Sequence, residues 1–269
     1  MAIANSLSTQ LTKSESVAEG TMAFHFAEPA GFEFRAGQSI DLTLLNPPET
    51  DAEGNTRAFS IASAPFDNEL MITTRMRDTA FKRTLGKASP GLEVRIEGPS
   101  GSFVLHRRAD RPAVFLAGGI GITPFLSIIR QAARDKIPHQ LYLFYSNRRP
   151  EDAPFLDVLT ETAKQNPAFH LIATMTEMDK SHREWKGERG LLTKQVLVKN
   201  QPPFRGRSTI WRGRPAWSRQ CGTCWRTPES MKMTSGRKSF PDIEHNAKRR
   251  ERGRLLRFVF ASAVVPIAI

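Results

Sequence analysis

The sequence predicts two consecutive domains, an antiparallel β-barrel followed by an α/β domain built on a parallel sheet. Short strand-like segments separated by turn residues fill the first hundred positions, whereas strand, glycine turn and helix alternate after Pro112. The length of 269 residues suffices for two hydrophobic cores.

The first hundred residues show no long helical period. Turn residues such as Gly37, Pro47 and the pair Gly98-Pro99 separate the apolar runs. Closing short antiparallel strands into a barrel removes their exposed edges, so we expect a barrel over residues 1–108. The predicted strand segments are Phe34, Ala36, 39–45, 58–62, 69–76 and 91–97.

The second domain is expected over residues 109–200. AVFLAGG, HQLYLFYS and FHLIATMT are near-continuous apolar strands, and ITPFLSIIRQAARDK and residues 153–165 are predicted helices between them. Apolar strands that alternate with helices indicate a parallel sheet covered by helices on both faces.

The charge is distributed unevenly along the chain. Residues 1–200 carry a net charge of +1, whereas the last 69 residues carry +11 and contain both cysteines, Cys221 and Cys224. The composition therefore changes near residue 201, and we expect residues 201–269 to form a poorly ordered basic tail.

Composition also limits the function. No run approaches the roughly 18 to 20 apolar residues that span a bilayer, and MAIANSLSTQ does not resemble a signal peptide. We therefore expect a cytoplasmic protein that binds neither membrane nor nucleic acid. Two cysteines cannot complete a structural zinc site, so no metal is expected.

Three motifs can carry chemistry. In RAFSIAS, residues 57–63, an arginine able to clamp phosphate and a ring able to cover a heterocycle share one strand face. A barrel strand with an exposed arginine and a core phenylalanine is the alternative. In GPSGSF, residues 98–103, glycines let backbone approach a ligand, although a plain turn explains them equally well.

The third motif is LAGGIGITPFLSII, residues 116–129, in which an apolar strand enters a glycine-rich turn. Thr123 is predicted to cap the next helix, and Pro124 suits its first position. Free amides at that helix start favour a phosphate. The spacing is not G-x-G-x-x-G, and a bare strand–turn–helix corner remains the alternative.

The order of these motifs resembles that of the ferredoxin–NADP reductase superfamily over residues 20–200. The resemblance implies FAD as a bound cofactor, NADH or NADPH as co-substrate, and hydride transfer to FAD followed by passage of electrons to a separate acceptor such as a ferredoxin or an oxygenase component. Ser60 would act near the flavin N5, and Arg57 would contact the pyrophosphate. The other residues that the resemblance assigns to cofactor binding are Phe59, Ile61, Lys82, Thr84, Gly98, Ser100, Gly101, Gly118, Gly119, Gly121, Thr123, Pro124 and Arg148.

Two positions depart from the family pattern. Lys82 stands where relatives usually have a small hydroxyl residue, which weakens the match of residues 81–85. After Thr174 the sequence offers Thr176 but no arginine for a 2′-phosphate, so NADH or weak discrimination is expected. Arg148 and Arg149 could compensate, and the coenzyme choice stays open.

The basic tail does not match the C-terminal sequence of the family. A different reading frame of the same codons encodes a sequence that does match it. Permitted codons for residues 210–225, read from the third base of Ile210, encode LAGPPGMVAAMWDML, and a stop is possible after residue 243. Met231-Lys232 forces a glutamate in that frame. The sequence thus indicates a frameshift near residue 201. We also expect Arg205, Arg207, Arg212 and Arg214 to prevent the next strand of the sheet from forming.

The alternative function is that of a non-catalytic module. In that hypothesis the basic tail, with CGTC at 221–224 and KRRERGRLLR at 248–257, is genuine and binds nucleic acid or an anionic membrane. Bound flavin with NAD(P)H oxidation would favour the enzyme, and salt-sensitive binding of RNA by the tail would favour the module.

Overall fold

The computed structural model describes residues 6–200 and 209–212. Its first part is a six-stranded antiparallel sheet in the order β4-β3-β6-β1-β2-β5. The strands are β1 (Ser6–Ala18), β2 (Thr21–Ala27), β3 (Ser39–Leu44), β4 (Thr56–Ser60), β5 (Glu69–Arg75) and β6 (Glu93–Ser100), and helix α1 (Ala80–Gly86) lies between β5 and β6.

This sheet curls on itself, which confirms the predicted barrel. The N–H of Ala62, just beyond β4, donates to the carbonyl of Met71 on β5 at 2.7 Å and so connects the two ends of the sheet. Fully buried side chains such as Phe24, Leu42 and Ile96 fill the interior. The driving force is burial of apolar area, at about 25 cal/mol per Å² removed from water.

The sequence analysis missed β1 and β2. β1 reads SLSTQLTKSESVA, in which polar residues dominate and Leu11 is the one deeply buried apolar side chain. Its place in the sheet depends on backbone pairing with β2 and β6 rather than on its own apolar pattern.

The second part is a five-stranded parallel sheet in the order β10-β9-β8-β7-β11, as the α/β prediction requires. Apolar side chains of α2 and α3 pack on one face, and Val196 and Leu197 of α4 pack on the other. The elements are β7 (Ala113–Gly118), α2 (Thr123–Arg134), β8 (Leu141–Asn147), α3 (Leu156–Gln165), β9 (Phe169–Met175), β10 (Glu188–Arg189), α4 (Lys194–Lys199) and β11 (Thr209–Arg212).

β11 contradicts the expectation that no strand forms after residue 201. Residues 209–212 pair in parallel with Ala113–Leu116 of β7. The ladder is made by backbone groups, and the stretch Thr-Ile-Trp has high strand propensity, so the arginines nearby do not prevent pairing. Arg205, Arg207 and Arg214 lie outside the described residues.

The other tail predictions also lie outside the described residues. These concern the order of the tail, the motif at 221–224 and the basic run at 248–257. Within residues 6–200 and 209–212, no helix is long and apolar enough to cross a membrane.

The two parts share a hydrophobic cluster. Ala23, Ala62 and Met71 of the antiparallel part pack with residues of β7, α2 and β8. The hydroxyl of Ser127 on α2 donates to the carbonyl of Ser63 at 2.6 Å, and both residues are fully buried. The two sheets are therefore packed together through a common core.

Candidate functional site

The glycine-rich turn at the carboxyl end of β7 lies beside the end of strand β5, because Arg75 of β5 lies close to Gly119. Met71 of β5 packs in the shared cluster, and residues two and four positions further along a strand point the same way. Thr73 and Arg75 therefore face the parallel sheet. Crevices at the carboxyl ends of parallel strands are where α/β sheets bind ligands.

Arg57 is held inside its own loop. Its guanidinium donates to the carbonyls of Glu53, Gly54 and Thr56 at 2.9 Å each, and it forms ion pairs with Asp51 and Glu53 at 3.0 Å. Asp51 also accepts the N–H of Ala80 at the start of α1. Burial raises the pKa of Asp51, but the hydrogen bonds from Glu53 and Arg57 outweigh it and lower the pKa overall. The Asp51 carboxylate thus binds both the Arg57 guanidinium and the backbone N–H of Ala80.

Burial along RAFSIAS shows the predicted alternation only in part. Arg57, Phe59 and Ile61 are buried and Ser60 is half-buried, but Ala58 is buried as well. The Phe59 ring lies 5.9 Å from that of Phe81, in the barrel core.

Residues 81–85 lie beside Arg57 in the structure. The Arg57 guanidinium lies 5.2 Å from the centre of the Phe81 ring. Burial lowers the pKa of Lys82, and the charges of Arg77 and Arg57 lower it further. Lys82 Nζ donates to the Arg75 carbonyl at 2.9 Å. Thr84 Oγ1 is buried without a hydrogen-bond partner among the described residues.

GPSGSF is the end of strand β6 rather than a plain turn. The strand continues through Ser100, beside β3, with an irregularity in register between Ser39 and Asp41. Gly98 has φ 142°, and a Cβ there would lie 3.1 Å from the Ser39 carbonyl oxygen. Gly101 has φ 91°. The Ser100 and Ser39 hydroxyls lie 3.1 Å apart. Close backbone packing requires Gly98.

After β7 the glycine-rich turn forms a short 3₁₀ segment, Gly119–Ile122, and α2 then begins at Thr123. The predicted cap is wrong in detail, because Thr123 lies inside the helix and its hydroxyl donates to the Ile120 carbonyl. Pro124 lies in the first turn, as expected, and Gly118 ends the strand. Gly121 lies within the 3₁₀ segment.

Tyr145 fixes this turn from β8. Its hydroxyl donates to the carbonyls of Gly119 at 3.2 Å and Pro154 at 3.1 Å. Burial strongly raises the pKa of Tyr145, so the hydroxyl stays protonated and remains a donor. Gly119 has φ 50°, a conformation that favours glycine.

Arg75 is the site residue that sequence reasoning missed. A Cβ on Gly119 would lie 3.6 Å from Arg75 Nη2, so the guanidinium lies directly over the glycine-rich turn. Arg75 Nε is buried without a hydrogen-bond partner among the described residues. An arginine at the end of a strand is usually solvated, and its sequence context gave no other signal.

Two buried threonine hydroxyls of these sheets also lack partners. Thr73 Oγ1 and Thr174 Oγ1 are buried and make no hydrogen bond within residues 6–200 and 209–212. Thr73 lies on the face of β5 that also carries Met71, whereas Thr174 shares the opposite face of β9 with Ile172. Buried polar atoms are normally satisfied, so Thr73 Oγ1 fits a polar ligand between the two sheets.

Arg148 and Arg149 are both paired. Arg148 Nη2 lies 2.7 Å from Asp152, although its side chain is 54% exposed. Arg149 contacts Asp152 and also Glu19 of the β1–β2 turn. Because both arginines pair with Asp152, they are less free to bind a 2′-phosphate in place of the arginine that is absent after Thr174.

Comparison with known proteins identifies the family. Residues 115–210 match the oxidoreductase NAD-binding domain. Ferredoxin–NADP reductase B of Sorangium cellulosum is 31% identical over 180 residues, which cover 65% of this chain and 70% of that protein. The chain belongs to the ferredoxin–NADP reductase family. The reductase component of propane 2-monooxygenase from Rhodococcus jostii is 30% identical over 174 residues, 63% of this chain.

The fold agrees with solved structures of this family. A ferredoxin–NADP⁺ reductase from Neisseria gonorrhoeae superposes with a TM-score of 0.65 at 20% identity, covering 87% of this chain and 95% of that one. The match covers only 45% of the propane 2-monooxygenase component and 39% of component C of the Methylosinus trichosporium methane monooxygenase. The chain thus spans about half the length of several relatives.

Proposed function

We propose that this protein is an FAD-dependent NAD(P)H oxidoreductase that passes electrons to a separate acceptor protein, such as a ferredoxin or an oxygenase component. The observation that carries the proposal is the position of the Arg75 guanidinium of β5 beside the Gly119 turn, 3.6 Å from where a Cβ on Gly119 would lie. Relatives named as reductase components of monooxygenases support the separate acceptor.

In this proposal residues 1–108 hold FAD and residues 109–200 hold the nicotinamide coenzyme. The unpartnered Thr84 hydroxyl and the cations Arg57 and Lys82 are a donor set that suits a pyrophosphate. Arg57 would exchange Asp51 for a phosphate, because both are oxyanions that accept from the same guanidinium. The proposed FAD-binding residues are Arg57, Phe59, Ser60, Ile61, Lys82, Thr84, Gly98, Ser100 and Gly101.

FAD, when bound, supplies a centre that accepts two electrons with a hydride and releases them singly. The protein supplies orientation and local charge. Tyr145 fixes the turn that would carry the coenzyme, and Arg75 adds a positive charge beside it. Ser60, half-buried at the end of β4, is the residue we propose for the reacting edge of the flavin. The proposed coenzyme-binding residues are Gly118, Gly119, Gly121, Thr123, Pro124 and Arg148.

The coenzyme is proposed to be NADH, or to be weakly discriminated. Arg148 and Arg149 share Asp152, and Glu177 follows β9 where an arginine would suit a 2′-phosphate. A preference for NADPH above about a hundredfold in kcat/KM, near 2.7 kcal/mol, would contradict this.

The test is reconstitution of the purified full chain with FAD, followed by NADH oxidation with ferricyanide as acceptor. We expect bound flavin absorbance and a flavin-dependent rate, with less than a tenth of that rate before FAD is added. A folded barrel that takes up no flavin in excess FAD would refute the proposal.

A further inference from the structure

The carboxylate of Glu151 lies in a small cluster of donors formed by Ser181, His182 and Arg183. Its Oε1 accepts the backbone N–H of His182 at 2.8 Å and of Arg183 at 3.0 Å. The Ser181 hydroxyl lies 3.0 Å from both carboxylate oxygens. Successive backbone N–H groups directed at one point form an anion-binding concavity. Here a side chain of the protein itself fills it.

This cluster, which we call the 181–183 nest, lies at the coenzyme end of the parallel sheet. Glu151 follows β8 and the nest follows β9, so both emerge at the carboxyl ends of the strands. The Glu177 N–H donates to the Arg148 carbonyl at 2.8 Å, which joins the two loops.

Two cations of the loop after β9 are already paired with carboxylates. Arg183 pairs with Asp157 at 3.0 Å, and Lys180 pairs with Glu177 at 3.0 Å. An incoming phosphate would therefore meet the Glu151 charge without an unpaired guanidinium on Arg183 to offset it.

We propose that Glu151 is a specificity-determining residue that disfavours the 2′-phosphate of NADPH by filling the 181–183 nest with a carboxylate. The inference rests on the coenzyme role proposed above and adds its physical basis. A 2′-phosphate needs several hydrogen-bond donors, and Glu151 both occupies them and repels a second anion. Burial raises the pKa of Glu151, but hydrogen bonds from its own backbone and from the nest outweigh it and lower the pKa, so the carboxylate is charged at neutral pH.

The experiment compares two nucleotides that differ only in the 2′-phosphate, 2′,5′-ADP and 5′-AMP, by calorimetric titration of the full chain. Glu151→Ala empties the nest and is expected to tighten 2′,5′-ADP binding by about tenfold, the size of one charge-assisted contact. 5′-AMP binding should change less than about twofold. The kcat/KM ratio of NADPH to NADH should rise by a similar factor.

Glu184→Ala is the matched control. Glu184 is an exposed carboxylate on the same loop, and no hydrogen bond or ion pair joins it to the part of the chain that the structure describes. Its removal should leave both affinities within about twofold, because it does not fill the nest. Adding Ser181→Ala to Glu151→Ala should reverse part of the gain, since it removes a donor from the nest.

The outcomes separate this inference from the proposed function. Unchanged 2′,5′-ADP binding in Glu151→Ala, with 5′-AMP still bound, overturns the inference and leaves the coenzyme site intact. If Glu184→Ala tightens 2′,5′-ADP binding equally, the inference is wrong, because the effect then comes from net charge rather than from the nest. If neither nucleotide binds the parent chain or the variant, the coenzyme role fails, and the inference fails with it. If Glu151→Ala alone loses 5′-AMP together with its cooperative melting, Glu151 is a structural brace and the inference is wrong.

Discussion

Removing the Tyr145 hydroxyl tests how the glycine-rich turn is held. In Tyr145→Phe the carbonyls of Gly119 and Pro154 lose their side-chain donor, which is fully buried, although Gly119 itself is half-buried. A typical hydrogen bond contributes about 0.5 to 1.5 kcal/mol, and a buried group left unpaired costs about 1 to 3 kcal/mol. We therefore expect unfolding to become easier by roughly 2 to 3 kcal/mol, since the two carbonyls share one hydroxyl.

Tyr142→Phe is the control for this experiment. Tyr142 lies on the same strand with its ring stacked 4.3 Å from that of His170, and its hydroxyl makes no hydrogen bond to the described residues. Urea denaturation of both variants measures the difference. A loss below about 0.5 kcal/mol for Tyr145→Phe, or an equal loss in the control, would refute the reasoning. Coenzyme binding should also weaken in Tyr145→Phe alone, because the turn that we propose for the dinucleotide loses its support.

Three other changes have defined outcomes. Arg57→Ala should weaken FAD binding by about 1.5 to 3 kcal/mol, roughly 10- to 150-fold, in fluorescence titrations, and unchanged affinity in a folded variant would exclude a phosphate contact. Burial and the nearby His139 lower the pKa of His106 below 6.5, so the unfolded chain binds the proton more tightly. Stability should therefore fall as the pH drops below about 6.5, by at most about 1.4 kcal/mol per unit, and His106→Asn should flatten that slope. Restoring the reading frame near Gln201 should raise NADH oxidation with little effect on flavin content, whereas equal rates for both chains would refute the frameshift.

The sequence predicted the elements whose signal is local. Strand β7 follows from AVFLAGG because this is a near-continuous apolar run, and helix α2 follows from the amphipathic run after Pro124. Strand β1 could not be predicted this way, because Thr9 takes the buried position between Leu7 and Leu11 and few apolar residues are left to show the alternation. Pairing with β2 and β6 decides its conformation.

The same distinction between local and non-local signals applies to the candidate site. The three motifs were visible because each is contiguous, and Arg57 and Phe81 do lie together. Arg75 and Glu151 were missed because their partners are distant in sequence: Gly119 lies 44 positions after Arg75, and Ser181 lies 30 positions after Glu151. Such contacts depend on how two sheets and two loops pack, which periodicity does not report.

The register of β11 bears directly on the frameshift hypothesis. Residues 209–212 pair in parallel with Ala113–Leu116 of β7 although Arg212 is among them. Strand pairing tolerates either frame because the ladder is made by backbone groups. The two frames differ in the side chains that they encode after Ile210: the restored frame gives LAGPPGM, with a Gly-Pro-Pro turn sequence, whereas the chain as written gives WRGRPAW, with two arginines. We propose that the coenzyme binds at the carboxyl ends of these parallel strands, where such side chains matter more than backbone pairing does. The frame change should therefore affect coenzyme binding before it affects the fold.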